Sequence, residues 1–242
     1  MVGSLRAMPI CCRRLPVEMP SSKDSLRIAY DVSCEAYATK FIHELDHKPF
    51  DRELLKQFAA AVGSRRTVLD LGCGPGHTTA HLTSLGLVAT GVDLSPKMIK
   101  WAAAKFPQSN FVVGDFLALA DESSSSGGMV AFYCIVHLSP AQLAPAFSEM
   151  IRVLVDGGVL LLSFHVGSGI VRVENFLDTI AALDFTFFEI CQVEAALRSV
   201  GFDPIQIHVR EPYDNEYPSQ RCYILTFKPQ GMALCDAAAA SR

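Results

Sequence analysis

The fold is indicated by one segment: Val68-Leu69-Asp70-Leu71-Gly72-Cys73-Gly74-Pro75-Gly76. It begins with apolar residues typical of a β-strand and ends with three glycines at alternate positions. Because glycine has no Cβ, this spacing permits a sharp turn and a close approach of the backbone to a ligand. A turn that binds a dinucleotide has the spacing G-x-G-x-x-G, whose third glycine would fall at position 77. The chain has His77 there, so the turn departs from the dinucleotide pattern.

Outward from this segment, apolar strand-like runs alternate with amphipathic helical stretches. Such alternation predicts βαβ units and a mostly parallel α/β sheet with helices on both faces. The runs Pro204–Val209 and Arg221–Phe227 have no helix between them and predict an antiparallel edge, whereas the low-complexity stretch Ser123–Gly128 predicts a flexible loop. The other predicted strands are Thr67–Leu71, Leu87–Val92, Phe111–Val113, Met129–Val136 and Gly158–His165, and the predicted helices are His77–Leu85, Lys97–Lys105, Gln142–Leu154 and Val193–Val200.

Three successive predicted strands end in a carboxylate, at Asp70, Asp93 and Asp115. Ligands of open parallel sheets bind at the C-terminal ends of the strands, so these acids are expected to lie near one another. Asp93 comes about twenty residues after the first glycine, where a carboxylate can accept hydrogen bonds from both hydroxyls of a ribose. Asp115 precedes Phe116 and offers an acceptor for an adenine amine beside a ring. This much negative charge would repel a diphosphate but would tolerate a cationic cofactor without phosphate.

Taken in order, five stretches resemble the motifs of the class I S-adenosylmethionine-dependent methyltransferases. The glycine-rich segment is similar to their first motif, and the later ones are Gly91-Val92-Asp93-Leu94-Ser95, Val113-Gly114-Asp115-Phe116, Tyr133–Leu138 and Arg152–Gly158. The resemblance runs from Thr67 to about Val166. It implies a Rossmann-like, doubly wound, mostly parallel seven-stranded sheet with an antiparallel last strand. The family often has an aspartate at the start of strand four, where this chain has Gly128-Met129-Val130.

The resemblance also implies S-adenosylmethionine as cofactor and methyl transfer by in-line displacement as the activity. By the same resemblance the glycines would pass under the methionine part, and Asp70 would help to hold its amino group. Asp93 would take the ribose hydroxyls and Asp115 the adenine amine. The implied cofactor-binding residues are Asp70, Gly72, Gly74, Gly76, His77, Asp93, Leu94, Asp115, Phe116, Phe132, Tyr133, Tyr30 and Tyr37.

Two histidines are candidates for a catalytic base or for contact with the acceptor. His137 and His165 each lie near the C-terminal end of a predicted strand, and His165 is the stronger candidate. The alternative for each is a histidine that caps backbone groups at a strand end. His77 and His81 have the i, i+4 spacing of metal ligands, but no third ligand is recognisable, so no metal site is predicted.

The chain is predicted to divide into a leader (1–23), N-terminal lid helices (24–64), a cofactor-binding domain (65–229) and a flexible tail (230–242). Alternatives to a disordered leader are a targeting segment or an upstream start. Tyr30, Tyr37 and Phe41 recur on one helix face and could touch the cofactor or acceptor, or pack on the sheet. A substrate-cap insert is predicted at 166–190, where the run Asp184–Phe188 could wall a pocket or belong to the core.

Composition restricts the partners and the compartment. The 21 Lys+Arg and 25 Asp+Glu give a net charge of −4, which argues against binding through nucleic-acid phosphates. No apolar run approaches the roughly 18–20 residues of a membrane-spanning helix. The eight cysteines include no Cys-x-x-Cys, and several lie in apolar stretches, which favours a reducing cytoplasm over a disulfide scaffold.

A small-molecule acceptor, methylated at oxygen or nitrogen, is favoured over DNA, RNA or protein. The chain has no basic stripe and no Asn-Pro-Pro-Tyr-type tetrapeptide after strand four, and the lid and insert predict an enclosed pocket. A monomer or homodimer is expected. The main alternative is a non-catalytic S-adenosylmethionine-binding module that serves as a regulatory or partner-binding subunit. His77 and the three strand-end acids count against a nicotinamide-dependent oxidoreductase.

Overall fold

A computed structural model describes residues 22–231 of the chain. The strands are β1 (Thr67–Leu71), β2 (Val88–Asp93), β3 (Asn110–Val113), β4 (Ser126–Phe132), β5 (Leu154–His165), β6 (Gly169–Val173), β7 (Leu183–Phe187), β8 (Ile205–Arg210) and β9 (Arg221–Phe227). The α-helices are α1 (Lys23–Phe41), α2 (Pro49–Val62), α3 (His77–Ser84), α4 (Pro96–Lys105), α5 (Pro140–Val153) and α6 (Ile190–Ser199). Short 3₁₀ helices cover Glu44–His47, Ile135–His137 and Phe176–Asp178.

Seven strands form one sheet in the order β3-β2-β1-β4-β5-β9-β8. β1 to β5 pair in parallel, and β9 runs antiparallel to both β5 and β8. The predicted doubly wound seven-stranded sheet with an antiparallel last strand is therefore confirmed. β6 and β7 form a separate antiparallel hairpin within the predicted insert.

Both faces of the sheet are covered, as the continuous apolar runs of the central strands require. In β5, Leu160 and Leu162 belong to a cluster that includes α5 and α6, whereas Val159 and Leu161 belong to a cluster that includes α2 and α3. Successive side chains of a strand point to opposite faces, so one strand supplies both cores. All four side chains are fully buried.

The start of α4 follows the capping signal in its sequence. The Ser95 hydroxyl accepts a hydrogen bond from the Met98 amide at 3.1 Å, and Pro96 occupies the first turn, where its missing N–H is not needed. This cap ends β2 sharply. The Asp93 side chain is thereby kept at the C-terminal edge of the sheet.

Two predicted boundaries around β4 are wrong. The stretch Ser123–Gly128 is not wholly a loop, because β4 begins at Ser126. Gly127 and Gly128 are buried there, and a Cβ on Gly127 would clash with the Arg65 backbone, so small residues let the strand pass under the end of α2. The strand ends at Phe132 rather than at Val136, because Tyr133 has a left-handed backbone with φ of 54°.

Helix α1 connects several elements at the C-terminal edge of the sheet. The Asp31 carboxylate accepts hydrogen bonds from the Ser95 hydroxyl at 2.6 Å and the Lys97 amide at 3.2 Å. The predicted leader lies outside the described residues except for Ser22, which caps α1, and Lys23, which begins it; of the predicted tail only 230–231 are described. Within residues 22–231 no helix has the length and apolarity to cross a membrane.

Candidate active site

The glycine turn after β1 closes against the 3₁₀ segment after β4. Gly72 and Gly74 have φ of 66° and 51°, a region that favours glycine. A Cβ on Gly72 would lie 2.6 Å from Cys134 Cβ, and one on Gly74 would lie 3.5 Å from the Tyr37 ring. The turn thus leaves a cradle that larger residues would fill. Gly76 is also left-handed, but it packs on Phe111 and Ala102, and it lines neither cavity described below.

Asp93 fixes the shape of this turn. One carboxylate oxygen accepts a hydrogen bond from the Gly74 amide at 2.9 Å, and the other accepts one from the Ser95 amide at 2.8 Å. Burial raises the pKa of Asp93, and the two amide hydrogen bonds act in the opposite direction. Each carboxylate oxygen has a second acceptor position, so the side chain can still receive two ribose hydroxyls.

The other two strand-end acids already have partners. Thr79 donates a hydrogen bond to Asp70 at 2.6 Å, and burial raises the pKa of Asp70 to about 6. Asp115 accepts a hydrogen bond from the Leu117 amide at 2.9 Å, and its other oxygen lies 2.6 Å from Lys23 Nζ. The ion pair places the first turn of α1 beside the predicted adenine-binding acid.

A first cavity of about 550 Å³ lies along the ends of β1 to β4. It brings together most of the residues predicted to bind the cofactor. These are Tyr30, Tyr37, Gly72, Gly74, Asp93, Leu94, Asp115, Phe116, Phe132 and Tyr133. An adenosine needs an acid for its ribose and an apolar, aromatic slot for its base, and this set supplies both.

His137 lies in the first cavity with both ring nitrogens engaged. Its Nε2 is 2.7 Å from the Tyr30 hydroxyl, and its Nδ1 is 3.0 Å from the Asp184 carbonyl oxygen. Since a carbonyl oxygen only accepts, Nδ1 donates, and neutral Nε2 accepts from Tyr30. Burial lowers the pKa of His137 to about 4, so the ring is neutral at pH 7. The histidine thereby links α1 to the β6–β7 hairpin.

A second cavity of about 790 Å³ adjoins the first. Its walls come from α1, the glycine turn, the hairpin and the β8–β9 loop, and they include the rings of Phe176, Phe185 and Phe187. The run Asp184–Phe188 contributes both to a cavity wall and to the core. Phe185 and Phe187 line the second cavity, whereas Phe188 is fully buried in the core. Phe41 also lines this cavity. Six residues line both cavities: Tyr30, Tyr37, Gly72, Gly74, Phe132 and Tyr133.

His165 lines the second cavity at the end of β5. Its Nδ1 lies 2.9 Å from the Ser219 hydroxyl, and its ring stacks on Phe187 with the ring centres 5.2 Å apart. Within the described residues, no hydrogen bond involves its Nε2. Burial, helped by the charge of Arg221, lowers the pKa of His165 to about 4, so this ring is also neutral at pH 7.

A buried network of charges borders the second cavity and was not predicted. Lys48 lies 2.6 Å from Glu44 and 3.3 Å from Glu216, and Glu216 forms a bidentate pair with Arg210. Arg210 in turn lies 3.3 Å from Asp51. The five residues come from the segment between α1 and α2, from the first turn of α2 and from the β8–β9 region. No local motif marks contacts over such separations, so sequence patterns could not have found them.

The model of a family described as a methyltransferase domain matches residues 68–158. An uncharacterized methyltransferase of Synechocystis sp. is 35% identical over 106 residues, which are 42% of this chain and 48% of that protein. The chain spans about half the length of the curated relatives that it matches first.

Two solved structures have a similar fold. One is phosphoethanolamine N-methyltransferase 2 of Haemonchus contortus, in complex with phosphomonomethylethanolamine and S-adenosylhomocysteine, with a TM-score of 0.65, 18% identity and coverage of 86% of this chain and 60% of that chain. The other is the [4+2]-cyclase SpnF, with a TM-score of 0.64, 14% identity and coverage of 88% and 99%. At these identities the likeness concerns the fold, and a fold can carry different reactions.

The strand order, the glycine turn with its strand-end acids, and the family match over residues 68–158 lead to one class. That class is the S-adenosylmethionine-dependent methyltransferases, whose domain model residues 68–158 match and whose fold the sheet shares; their cofactor is S-adenosylmethionine.

Proposed function

We propose that this chain methylates a small molecule at an oxygen or nitrogen atom. The observation that carries the proposal is the junction of the two cavities at the glycine turn, where Tyr30, Tyr37 and Tyr133 border both. S-adenosylmethionine, when bound, supplies an activated methyl group on a sulfonium. The protein then has mainly to align the acceptor and exclude water.

The first cavity would hold the adenosine part of the cofactor. Asp93 would receive the ribose hydroxyls, Asp115 would receive the adenine amine, and Leu94 and Phe116 would border the base. Gly72 and Gly74, with His77, would border the methionine part where the cavities meet. Asp70, held by Thr79, would act on the amino group at most indirectly, and Gly76 would act by shaping the turn.

The second cavity would hold the acceptor. Its aromatic walls favour a molecule with a flat or apolar part, and His165 would offer Nε2 to the acceptor's hydroxyl or amine. A base with a pKa of about 4 accepts a proton only weakly at pH 7, so His165 would orient the acceptor more than deprotonate it. His137, with both nitrogens engaged, would position Tyr30.

The compartment and the assembly also belong to the proposal. Free thiols at Cys73, Cys134 and Cys222 are buried, which supports a reducing cytoplasm. The acidic balance of the chain supports an acceptor other than nucleic acid. A monomer or homodimer stays a prediction, which sedimentation would test.

The test is calorimetric titration with S-adenosylhomocysteine, with NADH as the control. Micromolar binding of S-adenosylhomocysteine alone is expected, and labelled S-adenosylmethionine would then be used to screen hydroxyl and amine acceptors. Tight NADH binding in its place would contradict the proposal. Binding of S-adenosylhomocysteine without transfer to any acceptor would favour a non-catalytic module.

A further inference from the structure

Asp51 is a buried carboxylate at the end of a chain of two tyrosine hydroxyls. It lies in the first turn of α2, is 1% exposed and lines neither cavity. The Tyr223 hydroxyl lies 3.0 Å from each oxygen of Asp51, and the Tyr133 hydroxyl lies 3.1 Å from that of Tyr223. Since Tyr133 borders both cavities, the chain connects their junction to a carboxylate behind the cavity wall.

Asp51 combines an ion pair with burial. Arg210 Nη2 lies 3.3 Å from one of its oxygens. Burial raises the pKa of Asp51, and the charge of Glu44 adds to the rise. Lys48, Arg210 and the Tyr223 hydrogen bond oppose it, since they stabilise the ionised form. Asp51 is therefore an ion-paired carboxylate that takes up a proton more readily than an exposed aspartate does.

The hydrogen bonds of Tyr223 fix the direction of the chain. An ionised carboxylate only accepts, so the one hydrogen of the Tyr223 hydroxyl is donated to Asp51. Arg210 Nε donates to the Tyr223 oxygen at 3.1 Å. The hydrogen between the two tyrosines therefore comes from Tyr133, whose oxygen keeps an acceptor position for another donor. Every donor in the chain points away from the cavities and toward Asp51.

Methyl transfer to a hydroxyl or a neutral amine releases one proton. The acceptor's oxygen or nitrogen gains a bond to the methyl carbon, the carbon–sulfur bond breaks with its electron pair on sulfur, and an O–H or N–H bond of the acceptor breaks. A carboxylate that takes the proton is neutralised as the sulfonium charge is lost, so no charge is left in the enclosed site. A histidine in that role would become charged, which burial disfavours at His165 and His137.

We propose that Tyr133 and Tyr223 relay this proton from the acceptor to Asp51. Tyr133 Oη takes the acceptor's proton as its own passes to Tyr223 Oη, and the proton of Tyr223 passes to Asp51. Each hydroxyl gives up one proton as it receives one. The rings of His165 and Tyr133 are 5.2 Å apart, so an acceptor oriented by His165 lies beside Tyr133. The inference rests on the proposed function, because it assigns the proton of the same reaction.

Tyr133→Phe removes the first hydroxyl of the relay and keeps the ring that borders both cavities. We expect kcat to fall about a hundredfold with the hydroxyl or amine acceptor from the screen, a loss typical of general-base catalysis. KM and the Kd of S-adenosylhomocysteine should change less than about twofold, because the hydroxyl acts on the proton in transfer. Tyr213→Phe is the matched control and should keep the wild-type kcat. The Tyr213 ring also packs on Arg210, 4.1 Å from the guanidinium carbon, but it lines neither cavity.

Asp51→Asn tests the far end of the relay. The amide keeps an acceptor oxygen for Tyr223 but cannot take up the proton, so kcat should fall about as far as in Tyr133→Phe. The double variant should lose no more than the larger of the two single losses, since the residues of a relay act as one unit. If Asp51→Asn melts markedly earlier than the wild type, Tyr223→Phe, which interrupts the middle of the relay, replaces it.

Infrared spectroscopy of the protein without acceptor gives a readout that does not depend on turnover. On acidification, the wild type should show a protonated-carboxyl band that Asp51→Asn lacks and that Tyr223→Phe shifts, because the hydroxyl contacts that carboxyl group. Absence of the band at every pH at which the protein stays folded would overturn the relay, since a carboxylate that cannot be protonated cannot end it.

The relay and the proposed function fail in different ways. An unchanged kcat in Tyr133→Phe, an equal loss in Tyr213→Phe, or single losses that multiply in the double variant would overturn the relay while the wild type still methylates its acceptor. If the wild type did not bind S-adenosylhomocysteine, or bound it and methylated no acceptor, the proposed function would fall and the relay with it.

Discussion

The two cavities differ in how far apart along the chain their key contacts lie. In the first cavity, the Gly74 amide bonds to Asp93, 19 residues away, and most of the lining follows β1 to β4 in order. At the border of the second, Tyr223 donates to Asp51 across 172 residues. The glycine turn and the strand-end acids of the cofactor side follow local motifs, whereas the contacts of α1 with that side, and the whole acceptor side, depend on the complete fold. Substitutions in the first cavity and in the second cavity should therefore differ in how they change stability, cofactor affinity and turnover.

The largest effect is expected for Gly72→Ala, which should lower the free energy of unfolding by about 3 kcal/mol. A left-handed backbone costs an L-residue about 1–2 kcal/mol, and the new Cβ would meet Cys134 at 2.6 Å. Gly169→Ala in the hairpin is the control, because φ there is 87° but no atom lies within 4 Å. Urea denaturation of both variants measures the difference. Equal losses in the two variants would mean that the close contact between residue 72 and Cys134 does not affect the free energy of unfolding.

Acid should destabilise the protein through one histidine in each cavity. The pKa of His137 and of His165 is about 4 when folded, against an ordinary 6.5. Between these values the unfolded chain binds more protons, so the free energy of unfolding falls as the pH is lowered. By pH 4.5 each histidine should account for roughly 2–3 kcal/mol. The raised pKa values of Asp51, Asp70 and Asp93 act in the opposite direction.

Urea denaturation at pH 7 and pH 4.5 isolates these contributions. The loss between the two pH values should shrink in His137→Gln and again in His165→Gln, whatever each substitution costs at pH 7. A loss as large as that of the wild type in both variants would assign the acid sensitivity to other groups.

Asp93→Ala should weaken S-adenosylhomocysteine binding by about 1–3 kcal/mol, the cost of losing a charged hydrogen-bond partner. The variant also leaves the amides of Gly74 and Ser95 without their acceptor. Asp93→Asn keeps one acceptor oxygen and should lose less. Calorimetry measures both, with Asp214→Ala, an exposed aspartate outside both cavities, as the control. Wild-type affinity in Asp93→Ala would refute its role at the ribose.

The smallest effect is expected at the acceptor side. His165→Ala should lower kcat/KM about tenfold, the loss of one orienting contact, and should leave the Kd of S-adenosylhomocysteine within about twofold. His208→Ala, outside both cavities, is the control. The measurement uses labelled S-adenosylmethionine with an acceptor from the screen. An unchanged rate would make His165 a structural residue.

Sequence patterns predicted the parts of the molecule that local chemistry determines. The glycine spacing and the acids at Asp93 and Asp115 indicated the cofactor side because each follows its own strand directly. Ser95 and Pro96 indicated the start of α4 for the same reason. Such signals lie within a few residues of what they determine.

The acceptor side offered no comparable signal. Arg210 reaches Asp51 across 159 residues, and Lys48 meets Glu216 only because the segment after α1 folds against the β8–β9 region. The start of β4 was not predicted, because Ser126 and Gly127 are residue types that are common in loops. Small residues are needed there because a Cβ on Gly127 would clash with the Arg65 backbone after α2. Tertiary packing, and not propensity, decides these positions.

The left-handed backbone of Tyr133 also bears on how this protein can change. Glycine or asparagine would relieve that backbone, yet the Tyr133 ring borders both cavities and its hydroxyl lies 3.1 Å from that of Tyr223. At this position stability therefore favours glycine or asparagine, whereas the proposed activity favours tyrosine. A library selected for heat resistance alone would drift toward glycine or asparagine there, and one selected also for methyl transfer would retain the ring.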